Sequence, residues 1–294
     1  MKKTPFERYV QSARRKPQLW RLVPGVVLIV ACAFLWIGGL LGAAWLIGDV
    51  DRALIFATEL SRPVTPRAVL ILLSTFIGMA LGPVLAVWLI HGRSAASLFG
   101  PRVRVLRDFA AAAGIVLAVY GIGIALWLTM YQPELNLAPS RWLLLLPLAL
   151  IGVAIQTGAE EMIFRGYLMQ QLGARFASPL VWLLLPALAF GAVHYDPGTA
   201  GVNVWLVVVS ATLFGLAAGD LTAKTGSLGA AWGFHFANNV IAILILATKG
   251  TITGMALFVT PYAVDDAGPL RLLMFGDMGM LLVAWMLVRR ALRP

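Results

Sequence analysis

Residues 142–165 read WLLLLPLALIGVAIQTGAEEMIFR. From Leu143 to Ile155 the stretch is apolar throughout, and then two adjacent carboxylates, Glu160 and Glu161, arrive with Arg165 close behind. A membrane-crossing helix needs about 20 predominantly apolar residues, and the stretch reaches that length at about residue 162. The same pattern recurs along the chain at 22–48, 68–91, 109–131, 178–197, 201–220, 228–248 and 272–289. The fold class expected is therefore all-α: a polytopic transmembrane helical bundle of about eight spans.

Composition agrees. The 294 residues are 60% hydrophobic and 12% charged, whereas soluble domains carry about 25% charged residues. A formal net charge of +10 would suggest nucleic acid on a soluble protein. Here the cations fall between apolar runs, which reads as topology and excludes a nucleic-acid partner. Lys2, Lys3, Arg8, Arg14, Arg15, Lys16 and Arg21 precede the first run, and Arg93, Arg102, Arg104 and Arg107 follow the second. Arg289, Arg290 and Arg293 close the chain, while the alternate loops hold most of the acids. Cationic loops stay cytoplasmic, so both termini are expected there, in a bacterial plasma membrane.

The expected organisation is a basic segment at 1–21, helices at 22–131, a polar-rich core at 142–248, and an outer loop with a last helix at 249–294. Phe6, Tyr9 and Trp20 suit a short helix lying on the inner leaflet, and Met255–Tyr262 suits a segment lying along the opposite interface. Glycine pairs four apart (Gly38 and Gly42, Gly78 and Gly82, Gly215 and Gly219) mark close helix approaches. Cys32 is the one cysteine and lies inside the first apolar run, which is too long for a cleaved signal core. An ordinary buried thiol is expected there.

Ionisable residues within spans are costly and are therefore functional candidates. Glu161 and Arg165 are four apart and share a helix face, as an ion pair requires. Glu160 lies about 100° away around the helix without a local counter-charge. His194 ends the fifth run, four residues after Phe190, and His235 and Asn239 stack on one face of the seventh. A glutamate, two histidines and an asparagine are what activating a water and stabilising an oxyanion require. Glu160, His194 and His235 would also make a three-ligand set for a divalent metal such as zinc. Helix-gluing hydrogen bonds and a proton relay are the other uses of such residues. Asp277 and Asp220, near span ends, read as interfacial or capping groups.

Three motifs stand in order: Glu160-Glu161-x-x-x-Arg165, Phe190-x-x-x-His194 and His235-x-x-x-Asn239. They resemble the motif set of the CPBP family of intramembrane proteases, which includes CAAX prenyl endopeptidases and bacteriocin-immunity-related proteins. Phe164-Arg165-Gly166-Tyr167-Leu168 and Thr225-Gly226-Ser227-Leu228 resemble the flanks of the first and third motifs. The resemblance implies an endopeptidase acting on membrane-associated substrates. In it Glu160 with His194 activates water, His235 and Asn239 stabilise the oxyanion, and Glu161 with Arg165 orients. Asn239 is a poor zinc ligand and a good oxyanion donor, which favours chemistry without a metal. The alternative is a non-catalytic immunity or assembly factor using the same cluster structurally. The run boundaries place Glu160 toward the cytoplasmic side and His194 toward the outer side, so a shared water requires span four to continue past Glu161.

Overall fold

The structure, a computed structural model, describes residues 3–292. Among them, six helices are long and apolar enough to cross a membrane: Leu19–Ser61, Pro66–Ile90, Arg102–Trp127, Pro139–Arg175, Pro197–Thr225 and Leu270–Ala291. Two shorter apolar helices, Leu180–Ala192 and Gly229–Ile245, pack among them. Leu35, Leu46, Ile47 and Leu144 are each at least 75% exposed on the outside of the bundle. An exterior this apolar is stable only against lipid, and the chain is a multi-pass integral membrane protein.

The regular elements are α1 (Pro5–Tyr9), α2 (Leu22–Ser61), α3 (Pro66–Leu85), α4 (Arg102–Trp127), β1 (Glu134–Leu135), α5 (Pro139–Glu161) and α6 (Met169–Arg175). Then come α7 (Leu185–Ala192), α8 (Pro197–Ala200), α9 (Val204–Thr225), α10 (Gly229–Val240), β2 (Leu246–Lys249), β3 (Phe258–Ala263) and α11 (Pro269–Ala291). Wider π-type turns join α5 to α6 over Met162–Leu168 and lead into α7 over Leu180–Leu184.

Helix α2 runs for 40 residues. Straight, it would span about 60 Å, twice the hydrocarbon core. It breaks at Gly48 and Asp49, where Asp49 takes a φ of 71°. The break falls where the apolar run was expected to end, and helix resumes beyond it instead of a loop.

The N-terminal segment differs from expectation. Instead of resting on a leaflet, it docks into the bundle: Tyr9, Val10 and Ala13 are buried, and the Tyr9 hydroxyl donates to the Leu98 carbonyl at 2.5 Å. Helix α1 is short but well capped. The Thr4 amide donates to Glu7 at 2.7 Å and the Glu7 amide to the Thr4 hydroxyl at 3.1 Å. Hydrogen bonding of the Glu7 carboxyl by the Thr4 amide, and then by the Thr4 side chain, holds it below its usual range. Of the three aromatics expected at the interface, Trp20 is the one largely exposed. Pro5 lies against Gly226, and Lys224 donates to the Arg289 carbonyl, so both ends of the described chain meet at one end of the bundle.

At the opposite end the segment 255–262 carries most of strand β3, Phe258–Ala263. A small sheet of order β1-β3-β2 pairs β1 antiparallel and β2 parallel to β3. Lys249 on β2 reaches Glu134 on β1 at 2.6 Å across it. The sheet thus fastens the start of α5 to the end of the α10 segment.

Close glycine approaches occur at two of the three expected pairs. A Cβ on Gly78 would stand 2.3 Å from Trp36, on Gly82 2.8 Å from the Ile29 backbone, and on Gly215 2.9 Å from the Ala187 backbone. Gly38 and Gly42 have nothing within 4 Å and face lipid instead. An unforeseen pair, Gly229 and Gly233, seats α10 directly on the α4 backbone, with added Cβ atoms 2.3 Å from the Val105 carbonyl and 2.2 Å from the Phe109 carbonyl. Gly233→Ala is therefore expected to lower detergent-solubilised stability by about 1–3 kcal/mol, the cost of overpacking. Gly38→Ala should leave the unfolding midpoint unchanged or slightly raised.

Candidate active site

Helix α5, the π-type turn and α6 form one continuous helical rod from Pro139 to Arg175. The expected end of span four at residue 162 is thus corrected: the helix continues another dozen or so residues past Glu161. Glu160 consequently stands about 22 Å above the Arg175 end, at 1.5 Å per residue. The fifth helix, Leu180–Ala192, is too short to cross the bilayer. His194 follows its end, about 21 Å above Leu180 by the same rise. Because only four residues separate Arg175 from Leu180, the two side chains reach the same depth. A span that stops halfway resolves the mismatch between their sides.

Both residues line one cavity of about 230 Å³. Gln156 from α5, His235, Asn238 and Asn239 from α10, and Asp277 from α11 line it as well. Liquid water occupies about 30 Å³ per molecule, so the space admits several waters or a peptide link. All four residues expected at the site, Glu160, His194, His235 and Asn239, therefore face one space. Glu161 and Arg165 lie behind its wall, 0% and 2% exposed.

Two carboxylates converge on the His235 ring, with Arg165 behind one of them. Its Nδ1 lies 2.9 Å from Glu161 Oε1 and its Nε2 lies 3.3 Å from Glu160 Oε2. Glu161 Oε1 also accepts from Arg165 Nη1 at 2.8 Å. An ionised carboxylate only accepts, so His235 donates Nδ1–H to Glu161. The approach to Glu160 is an ion-pair contact rather than a hydrogen bond, and Glu160 Oε2 has no hydrogen-bond partner among the described residues. An imidazolium between two carboxylates, with Arg165 beyond, leaves the buried cluster of two anions and two cations neutral. Neutrality is what burial in a low dielectric demands.

Aromatic rings close the space around this cluster. The Arg165 guanidinium lies 4.7 Å over the Phe190 ring. Phe190 in turn packs 4.7 Å from the His194 ring and 5.8 Å from that of His235, and Phe214 packs 4.7 Å from His235. His194 Nδ1 pairs with the Phe190 carbonyl at 2.7 Å. A carbonyl only accepts, so Nδ1 carries a proton, and in the neutral ring Nε2 is then the acceptor.

Asn239 Nδ2 donates to Gln156 Oε1 at 2.8 Å. Gln156 was not foreseen, although it lies one helical turn before Glu160 on the same face. Asp277 was expected at an interface, and the structure instead places it in the cavity wall, facing Tyr120 of α4. Asp220 accepts from Arg289 at 2.8 Å and from Trp285 at 3.0 Å, a structural role.

No group of three or more His, Cys, Asp or Glu side chains converges as a metal site among the described residues. Glu160, His194 and His235 share the cavity without forming such a donor set. The donors do not fit the zinc set considered above, and no step below is routed through a metal.

Residues 139–241, which carry this cavity's glutamate, histidines and asparagine, match the family model described as type II CAAX prenyl endopeptidase Rce1-like. This segment is similar to the CAAX prenyl endopeptidases. It also shares 38% identity over 116 residues with the uncharacterized protein YyaK of Bacillus subtilis (strain 168), covering 39% of this chain and 38% of that relative. The chain thus spans well under half of the curated relative's length. No solved structure matches. The matched segment ends at residue 241, so Asp277 reaches the cavity from a helix outside it.

Proposed function

We propose that the protein is an intramembrane endopeptidase that hydrolyses a peptide bond of a membrane-associated substrate in the cavity beside Glu160. The observation that supports this most is one space of peptide dimensions lined by Glu160, His194, His235 and Asn239 within the bundle. Glu160, balanced by the His235 imidazolium, takes a proton from a water held in the cavity. Neutral His194, with Nε2 free, accepts the second hydrogen bond of that water. The hydroxide equivalent attacks the scissile carbonyl, and the negative oxygen of the tetrahedral intermediate is met by Asn239 Nδ2 and by the protonated His235. Collapse of the intermediate returns the proton from Glu160 to the departing amine, so the enzyme ends as it began. Arg165 and Glu161 hold His235 in its orientation from behind.

Hydrolysis of membrane-anchored model peptides by the purified, liposome-reconstituted protein tests this reading. Turnover should appear with wild type and vanish with Glu160→Ala. Equal turnover in the two would transfer the cluster to the alternative role, a non-catalytic immunity or assembly factor held together by the same bonds.

The two polar ends of the site should separate in kinetics. Asn239→Ala removes an oxyanion donor and is expected to lower kcat by about 10²–10³, with KM little changed. His194→Ala removes a water-orienting acceptor and should lower kcat by at least about tenfold. A fall in kcat/KM carried wholly by KM for Asn239→Ala would place that residue in substrate binding instead.

A further inference from the structure

Away from the active site, α3 and α5 pack closely at mid-depth and separate toward the end that carries the sheet. Leu73 sits on Gly152, where an added Cβ would meet it at 2.8 Å. Beyond that contact the helices diverge around a groove of about 450 Å³. Leu70, Ile71, Leu144 and Leu145 line it, and Arg67 and Arg141 stand at its mouth. Both helices begin there, at Pro66 and Pro139, so the cations mark the interface and the leucines lie deeper. From Arg67 to Ser74, the innermost lining residue on α3, the groove descends about 10 Å.

The charges at the mouth are incompletely answered. Arg67 meets Glu59 through Nε alone at 3.4 Å, with its side chain 64% exposed. Arg141 has no carboxylate within ion-pair distance among the described residues. One acid therefore faces two guanidinium groups, each built for bidentate capture of an oxyanion.

We infer that this groove is a binding site for a phospholipid with an anionic headgroup. The phosphodiester lies between Arg67 and Arg141, and an acyl chain runs down the Leu70–Leu145 cleft. A soluble phosphate would satisfy the cations and leave the apolar floor bare, while a zwitterionic lipid would fill the floor and bring no net charge to the rim. The site is independent of the protease reading.

Full-length protein released from vesicles of equal phosphatidylglycerol and phosphatidylcholine tests the site, with bound lipid read by native mass spectrometry. An interfacial arginine contributes about fivefold in anionic-lipid affinity, so wild type should retain phosphatidylglycerol over phosphatidylcholine by up to about 25-fold. Arg67→Gln and Arg141→Gln should each reduce that preference about fivefold, and the double variant should abolish it. Ile71→Trp fills the cleft without altering charge and should lower retention of both lipids. Equal retention by wild type, or an unchanged preference in the double variant, overturns the site. Displacement of the bound lipid by millimolar inorganic phosphate would assign the arginines to a soluble anion and also overturn it.

Discussion

Glu160→Gln is expected to reduce peptide hydrolysis by about 10²–10⁴-fold, the share that a positioned general base contributes, while the protein still inserts and folds. The substitution is nearly isosteric, and a carboxamide still offers His235 an acceptor at the 3.3 Å position now held by Oε2. What it cannot do is take a proton from water. Single-turnover cleavage in liposomes, read beside the unfolding midpoint in the same detergent, separates the two effects. Lost turnover with an unchanged midpoint places Glu160 in the chemistry. Turnover within a factor of about three of wild type would leave the cluster structural, since a general base contributes at least about 10²-fold. Because the pocket keeps its shape, this variant is more telling than Glu160→Ala, which also opens space beside the ring.

The second large effect is on stability. Glu161→Ala leaves Arg165 fully buried with no carboxylate against it, and breaking a buried pair in this way costs about 3–5 kcal/mol. Arg165→Ala leaves Glu161 with His235 as its remaining cation and should cost about as much, since it also empties the space against Phe190. Replacing both, as Glu161→Gln with Arg165→Met, removes the two opposite charges together and keeps the volume. That double variant is expected to recover more than half of the loss in urea or thermal unfolding, the behaviour of buried pairs exchanged for neutral groups. Additive losses would show that the pair does not interact as its 2.8 Å contact indicates. The double variant should still lose activity, because His235 is then held by a weaker acceptor.

The apolar runs made the helical bundle readable, because about 20 uncharged residues in succession match the thickness of the hydrocarbon core and exceed what a buried soluble helix needs. The Glu161–Arg165 pair was equally plain, as the i, i+4 contact survives even though Arg165 lies within the π-type turn. The depth of His194 was not readable. The run 178–197 stays apolar from Pro179 to Val193, and only the fold shows that the helix stops at Ala192. The sheet was missed because β1 has two residues and β2 four, too few for an alternating pattern to stand out against leucine-rich neighbours. Asp277 did give a signal, an acid a few residues inside a span, and position near the span end argued against using it. Gln156 could have been found by counting one turn back from Glu160. The seating of α10 on α4 was visible only as two glycines four apart among many.

The three-stranded clasp has a further consequence for how this chain tolerates insertions and deletions. Its pairing of Leu135 with Phe258 and of Phe258 with Leu246 anchors both α5 and the α10 segment at the same end. Each added or removed residue between Leu135 and Glu160 would then turn the carboxylate by about 100° and shift it by about 1.5 Å relative to His235. Neither displacement can be absorbed by sliding, because the anchor does not move. Helix α2, broken at Gly48 and bound to no such anchor, has no comparable penalty. Length variation should therefore accumulate in α2 and be absent from the twenty-odd residues that lead from the clasp to the glutamate.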